Sequence, residues 1–174
     1  MPMLWKLRLL WYRSDLTGLI VAAWVIVIVG GLLYGLMAVT AQKEAAAART
    51  RDFHASSVDC LARNVYYEAR GESLPGQYAV AEVTMNRKAA LGYPKTVCEV
   101  VYQKDAFSWT AMKDLDGPAG ESWQRALKVA QEVYYGRRAT ELQGATHYHA
   151  TYVKPEWSGE RERIARIGRH VFYR

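Results

Sequence analysis

Between Leu16 and Gln42 the chain carries no Asp, Glu, Lys or Arg, and Leu19–Val39 is almost wholly apolar. A helix of about 20 apolar residues crosses a bilayer core of ~30 Å, so this segment is long enough to span one. A buried core helix is the alternative, but such helices are usually shorter and keep a polar face, and Gly30-Gly31 weakens one in water. The run also exceeds the roughly 7–15 apolar residues of a cleaved leader, although Val39-Thr40-Ala41 offers small residues at a plausible cleavage point. The expectation is an uncleaved single-pass anchor over residues 16–42. Its Gly18, Gly30, Gly31 and Gly35 make it a small-residue helix, suited to helix pairing or, if its hydrophobicity is marginal, to escape from the membrane.

Beyond the anchor the pattern becomes amphipathic. Residues 43–55 are alanine-rich and charged, which reads as a helical stalk. Ser56 with Asp59 looks like a capping box opening a helix to Arg70, with Val58, Leu61, Ala62, Val65 and Ala69 as its apolar stripe and Gly71 as its stop. Pro75 starts a second helix carrying Val80 and Val83 towards Arg87. Thr96 and Glu99 form a capping box for a short third helix ending near Gln103. A fourth, about Ala119–Tyr135, places Trp123, Ala126, Leu127, Ala130, Val133 and Tyr134 at helical spacing and closes at Gly136. The period then changes to two. Thr146–Val153 and Ile167–Tyr173 read as the strands of a small hairpin, joined by a loop with Pro155 and Gly159. Helices first and a hairpin last give an α+β domain over 56–174, behind a short N-terminal segment 1–15 and the anchor.

Charge and cysteines bear on where that domain sits. Lys6, Arg8 and Arg13 precede the span and Lys43, Arg49 and Arg51 follow it, so basic residues alone do not orient it. The two cysteines, Cys60 and Cys98, read as a disulfide of an exported domain, with buried free thiols the alternative. The expectation is a cytoplasmic N-terminus with the folded domain on the extracytoplasmic (periplasmic) side. Of the net charge of +6, the first 15 residues hold three basic groups and Asp15, leaving about +4 beyond them. That suits an anionic polymer, and no zinc-finger, helix-turn-helix or RNP-like signature points to nucleic acid.

The chain has no G-x-S-x-G, P-loop, H-E-x-x-H or C-x-x-C. What remains is a density of Tyr, Trp and His around one acidic helix end. Glu68 lies seven residues after Leu61 and three after Val65, near the apolar stripe and in the last helical turn. Apolar surroundings and the negative end of the helix dipole both disfavour a carboxylate and raise its pKa, as a general acid needs; Arg63 and Arg70 oppose this if they point at it. A solvated surface glutamate is the bland alternative. On the first strand His147 and His149 share a face, and His170 on the second strand is placed to meet His149 across the hairpin. H-x-H alone is a weak metal signature and no carboxylate completes it, so neither metal nor other cofactor is expected. Tyr66 and Tyr67, adjacent on a helix, cannot both face one core. Trp109 and Trp157, in loops, are candidates for stacking on a sugar.

Asn64-Val-Tyr-Tyr-Glu68-Ala-Arg-Gly-Glu72, followed by Gly76-Gln-Tyr-Ala-Val-Ala-Glu-Val-Thr-Met-Asn86-Arg87, resembles the catalytic domain of the SleB-type cell wall hydrolases. The likeness continues through Val101-Tyr-Gln103, Phe107-Ser108-Trp109, Gly144-Ala-Thr-His-Tyr-His149, Pro155-Glu-Trp157 and Ile167-Gly-Arg-His170-Val-Phe172, and so covers about residues 59–173. It implies a lysozyme-like, mainly helical fold and cleavage of peptidoglycan between N-acetylmuramic acid and N-acetylglucosamine, with Glu68 matching the catalytic glutamate. It further suggests Tyr67, Glu72, Gln103, Phe107, Ser108, Trp109, His147, His149, Trp157 and His170 as substrate-binding positions. Where relatives often read Q-F-S-W, this chain has Ala106-Phe107-Ser108-Trp109, a departure that bears on one substrate-site hydrogen bond implied by the resemblance and not on the catalytic residue. Glu72 lies past Gly71, and a role holding that turn is as open as a role in chemistry. One placed carboxylate suits a lytic transglycosylase, in which a muramyl hydroxyl attacks; a hydrolytic muramidase uses two. Two other classes stand beside these: a zinc-dependent amidase using His147, His149 or His170, and a non-catalytic wall-binding membrane protein.

Overall fold

A computed structural model of the chain describes residues 3–137, 142 and 144–174. Its contacts divide it into two units, Met1–Arg51 and Asp52–Arg174. In the first, helix α1 begins; it runs unbroken from Met3 to Ala69. The capping box expected at Ser56 and Asp59 is therefore not a helix start. The alanine-rich stretch before it has the highest helix propensity available, so nothing interrupts the backbone ladder there, and both residues lie within α1. Within Leu16–Ala69 an 18-residue window reaches a mean hydropathy of 2.6 with none of it buried. By length and composition this helix is able to cross a membrane, as anchors and signal sequences both are.

The second unit packs the end of α1 against three further helices and a small sheet. Helix α2 spans Leu74–Ala89, with Ser73 at its N-cap and Pro75 in its first turn, where a missing N–H costs nothing. Helix α3 spans Val97–Val101 and carries the expected capping box, Thr96 receiving the Glu99 amide and Glu99 receiving the Thr96 amide. Helix α4 spans Gly120–Tyr134 and is stopped by Gly136, whose φ of 107° is natural only to glycine.

The core follows the stripe read from the sequence. Leu61, Ala62 and Val65 of α1 are fully buried with Val97 and Val101 of α3 and Ala126, Val129 and Val133 of α4. Each such Leu or Val contributes about 1.5–3 kcal/mol by leaving water. A Cys60–Cys98 disulfide joins α1 to α3 across 38 residues.

The end of the chain departs from the two-stranded expectation. Strands β1 (His147–Ala150), β2 (Arg163–Ile167) and β3 (His170–Tyr173) form an antiparallel sheet in the order β1-β3-β2. The stretch Ile167–Tyr173 is not one strand, because Gly168 adopts a φ of 57° and turns the chain between β2 and β3. β3 thus pairs on both sides and is buried throughout. Phe172 of β3 forms a second, smaller core with Ala79 and Val83 of α2, and Tyr148 of β1 packs against both cores.

Candidate active site

Glu68 stands in the last turn of α1, where the helix meets the sheet. The Tyr148 hydroxyl donates to its Oε2 at 2.8 Å across 80 residues of sequence. Burial pushes the Glu68 carboxyl above its usual range, and this outweighs the opposing pull of the Tyr148 hydrogen bond and of the Arg87 charge. The arginines named from the sequence do not act on it. Arg63 pairs with Asp59 at 2.7 Å, and Arg70 lies over the ring of Tyr66 and donates to its hydroxyl.

Glu68 opens into a cleft of about 630 Å³ whose walls are largely aromatic. On one side the Tyr67 ring stacks on Trp109, centroids 4.6 Å apart and planes 25° from parallel. The Trp109 indole N–H donates to Asn64 Oδ1, the Asn64 amide donates to the Thr84 hydroxyl, and the Tyr67 hydroxyl donates to the Asp116 carbonyl. Tyr66, its neighbour, is buried in the core, the offset of about 100° between adjacent helical residues turning it away from the cleft. On the other side Trp157 lies 5.7 Å from His149 and 5.5 Å from Tyr173. The His149 Nδ1 lies 2.9 Å from the Ala150 carbonyl, which only accepts, so Nδ1 carries the proton and in the neutral ring Nε2 receives the Tyr173 hydroxyl at 2.9 Å.

The meeting of His149 and His170 does not occur. The register sets Val171 opposite His149 and His170 opposite Ala150, which puts His170 on the Tyr148 face, its ring 5.1 Å from that of Tyr148. Reading β1 against an unbroken Ile167–Tyr173 strand left out the turn that fixes this register. His170 is buried and its Nδ1 has no hydrogen-bond partner among the described residues. Burial holds its pKa below the usual value; Glu72 opposes this, and Arg169 and His149 reinforce it.

Of the residues singled out from the sequence, Tyr67, Glu68, Ser108, Trp109, His149, Trp157 and His170 line this cleft. Gln103 and His147 line an adjoining recess that shares Tyr148 and Trp157 with it. Two do not reach the site. Phe107 is 4 % exposed, packed in the core beneath the Arg87 guanidinium, because the backbone turns inward before the short 3₁₀ turn Ser108–Ala111. Glu72 is clamped to the β2–β3 turn: Arg169 donates its backbone N–H to Oε2 and its Nε to Oε1, at 3.1 and 2.6 Å. Burial raises the Glu72 pKa, but these bonds and the charges of His170 and Arg169 bring it below the usual range. These bonds tie the end of α1 to the β2–β3 turn.

Four residues outside that selection matter here. Tyr148 sits between two histidines on β1, and the alternation that grouped the histidines put it on the other face, the one packed on α1. Asn64 fixes Trp109, and Arg87 donates its Nε to the Thr146 carbonyl while Asn86 donates to that of Ala145. The Asn-Arg pair of the motif therefore pins the lead into β1. Among the described residues, no three His, Cys, Asp or Glu side chains converge as metal ligands.

A half-buried acid at the end of a helix, opening into a cleft with aromatic rings on its walls, suits the cleavage of a polysaccharide, and comparison with known proteins points the same way. Residues 71–173 match the Cell Wall Hydrolase family model, and the chain belongs to this family, in its SleB-type branch. The chain is 33 % identical over 118 residues to the spore cortex-lytic enzyme of Halalkalibacterium halodurans, covering 67 % of this chain and 34 % of that protein. It is 31 % identical over 124 residues to that of Bacillus subtilis, covering 69 % and 38 %. It thus spans little more than a third of these relatives' length. In structure it is similar to the catalytic domain of Bacillus cereus SleB, with a TM-score of 0.58, 30 % identity and coverage of 68 % of this chain and 89 % of that one. The catalytic domain of the germination-specific lytic transglycosylase SleB from Bacillus anthracis gives 0.59, 30 %, 68 % and 93 %.

Proposed function

We propose that this chain cuts the glycan strands of peptidoglycan between N-acetylmuramic acid and N-acetylglucosamine as a lytic transglycosylase, with Glu68 as both acid and base. The observation carrying this reading is that Glu68 is the sole carboxylate among the described residues lining the cleft, and its pKa is raised by burial. A hydrolase of the usual kind needs a second carboxylate as nucleophile or as base for water. A transglycosylase needs only one. Protonated Glu68 gives its proton to the glycosidic oxygen, and the C–O bond to the leaving sugar breaks. The resulting Glu68 carboxylate takes the proton of a muramyl hydroxyl, whose oxygen closes on the anomeric carbon. Atoms balance with no water consumed. The Tyr148 hydroxyl donates to Glu68 throughout and favours its anionic form, so this bond strengthens as the proton leaves. Trp157 and the ring of Tyr67, backed by the buried Trp109, offer faces for the sugars on either side.

Glu68→Gln keeps size and hydrogen-bonding shape while removing the transferable proton. Turnover of purified peptidoglycan is expected to fall by about 10²–10⁴-fold with folding intact. Anhydro-muramic product ends from the wild-type protein support transglycosylation, and reducing ends would replace it with hydrolysis. A folded Glu68→Gln protein that clears peptidoglycan at near-wild-type rate would overturn the assignment.

The same reading puts residues 43–174 outside the cytoplasmic membrane, held there by the helix over 16–42. Its support is a substrate found outside the cell and an apolar segment with no burial of its own. A phosphatase joined after Arg174 is expected to be active and a cytoplasm-dependent reporter silent; the reverse pattern would contradict it.

A further inference from the structure

Beside the cleft lies the recess of about 370 Å³ already met at Gln103 and His147, separated from Glu68 by the Tyr148 and Trp157 side chains that line both. Its charge differs from the cleft's. Arg87 and Lys104 line it, and Arg161 lies over the Trp157 ring at 6.0 Å. Asp105 is the one acidic side chain among its described lining residues. Arg87 is the notable member. It is half-buried, its Nε is committed to the Thr146 carbonyl, and its guanidinium lies 5.0 Å from the Phe107 centroid and 5.9 Å from that of Tyr93. It makes no ion pair among the described residues. A guanidinium held on aromatic faces with no carboxylate partner is preorganised for an anion, because its fork is oriented and partly desolvated before ligand arrives. His147 adds no charge there: burial, then Arg161 and Arg87, bring its pKa to about 4, so near neutrality it is a neutral hydrogen-bonding group.

We propose that this recess is a subsite for a carboxylate carried on the muramyl side arm of the strand, gripped by Arg87 and Lys104. The inference rests on the peptidoglycan reading above. A sugar stacked at Trp157 sets its substituents on either side of that indole, and the Arg87 side is the one lined by two cations, Arg87 and Lys104, against Arg70 alone on the other. The carboxylate has two sources, the stem peptide or the lactyl group of a peptide-free strand. The enzyme then chooses its cutting position by charge as well as by sugar.

The full chain in detergent would be assayed on soluble glycan fragments in three forms: with free stem-peptide carboxylates, with those carboxylates converted to methylamides, and stripped of peptide so that only the lactyl carboxylate remains. Wild-type KM is expected to be about ten-fold lower for a free carboxylate than for the methylamide, the effect of one charge-assisted hydrogen bond. Lys104→Glu, at an exposed position, should raise KM about ten-fold on the free-carboxylate form, with kcat unchanged and the methylamide unaffected. Arg87→Gln should do more, and if it does not fold Lys104→Glu decides alone. Preference for the peptide-bearing form over the stripped form assigns the stem peptide; equal preference assigns the lactyl group. Equal wild-type KM for free and methylamidated fragments, or an unchanged ratio in Lys104→Glu, would overturn the subsite while leaving the cleavage reading intact. Lys104-dependent binding of free-carboxylate fragments without cutting would do the reverse, and absence of both binding and cutting would sink both.

Discussion

Val27 and Val65 lie on the same unbroken helix, yet Val27 is 63 % exposed and Val65 is fully buried. The contrast extends to their surroundings. In the first unit Leu19, Ile26, Leu32 and Met37 are exposed along a stretch with no charge, whereas in the second the same residue types are enclosed by α2, α3 and α4. Hydrophobicity is thus satisfied within the chain in one region and unsatisfied in the other. On the anchor reading lipid completes the first, and water exclusion by neighbouring helices completes the second. The helix pattern differs accordingly. One segment is apolar all round and the other has a single stripe.

The largest effect separating the two comes from placing a charge in each. Val65→Arg buries an uncompensated cation and is expected to cost about 3–5 kcal/mol or more, abolishing the thermal transition of the second unit. Val27→Arg should leave that transition where it is and instead oppose bilayer insertion by about 2.5–3.5 kcal/mol, read as a shift from the membrane to the soluble fraction. A Val27→Arg protein that loses its thermal transition would mean that the two regions are stabilised together.

Next in size is the disulfide. Cys98→Ser frees the α1–α3 connection and is expected to lower stability by about 2–4 kcal/mol, measured by chemical denaturation, with membrane fractionation unchanged. Two reactive thiols in the folded, oxidised wild-type protein would contradict the pairing.

The smallest effect is the pH dependence, and it too belongs to the second unit alone. His147 and His170 have folded-state pKa values depressed by burial, His147 to about 4. The unfolded chain therefore binds more protons than the folded one below the ordinary histidine pKa of about 6.5. Stability from these groups is complete above that value and is lost as pH falls from there towards about 4. Glu68 has the opposite sign. Its raised pKa means that the folded state retains its proton longer than the unfolded state, so stability declines as pH rises through the range between the ordinary and the raised value. Glu68→Gln should therefore match wild type in acid and become the more stable protein at neutral pH. Thermal melts of the two across pH 4–8 check both signs, and a Glu68→Gln protein less stable than wild type at pH 7 would contradict the second.

Much of this was legible in the sequence where a local device determines structure. The Thr96/Glu99 box, the Gly136 stop and the Leu61–Val65 stripe act within a few residues, so spacing alone reveals them. The Ser56/Asp59 box failed because a cap matters only where a helix has reason to start, and the alanine-rich run before it gave none. The sheet failed for a different reason. Strand order β1-β3-β2 and the His170–Ala150 register depend on which edges meet in space, and one glycine turn was hidden inside an apparently continuous strand. Glu68 was singled out by its position on a stripe and by resemblance to a family motif, and the structure places it in the cleft with a raised pKa. Tyr148 and Arg87 escaped because their roles arise only when β1 and α2 close over the end of α1.

The sheet order also governs timing. β3 is the middle strand in space and the last of the three in the chain. A polypeptide appears N-terminus first, whether from a ribosome or through a translocation pore. β1 and β2 therefore wait without a partner until His170–Tyr173 have emerged. Tyr148, and with it the hydroxyl that faces Glu68, has no fixed address before that moment. Glu68 is in place early and the hydroxyl that faces it late, so a half-delivered chain holds the glutamate on its helix without the hydrogen bond that Tyr148 gives it.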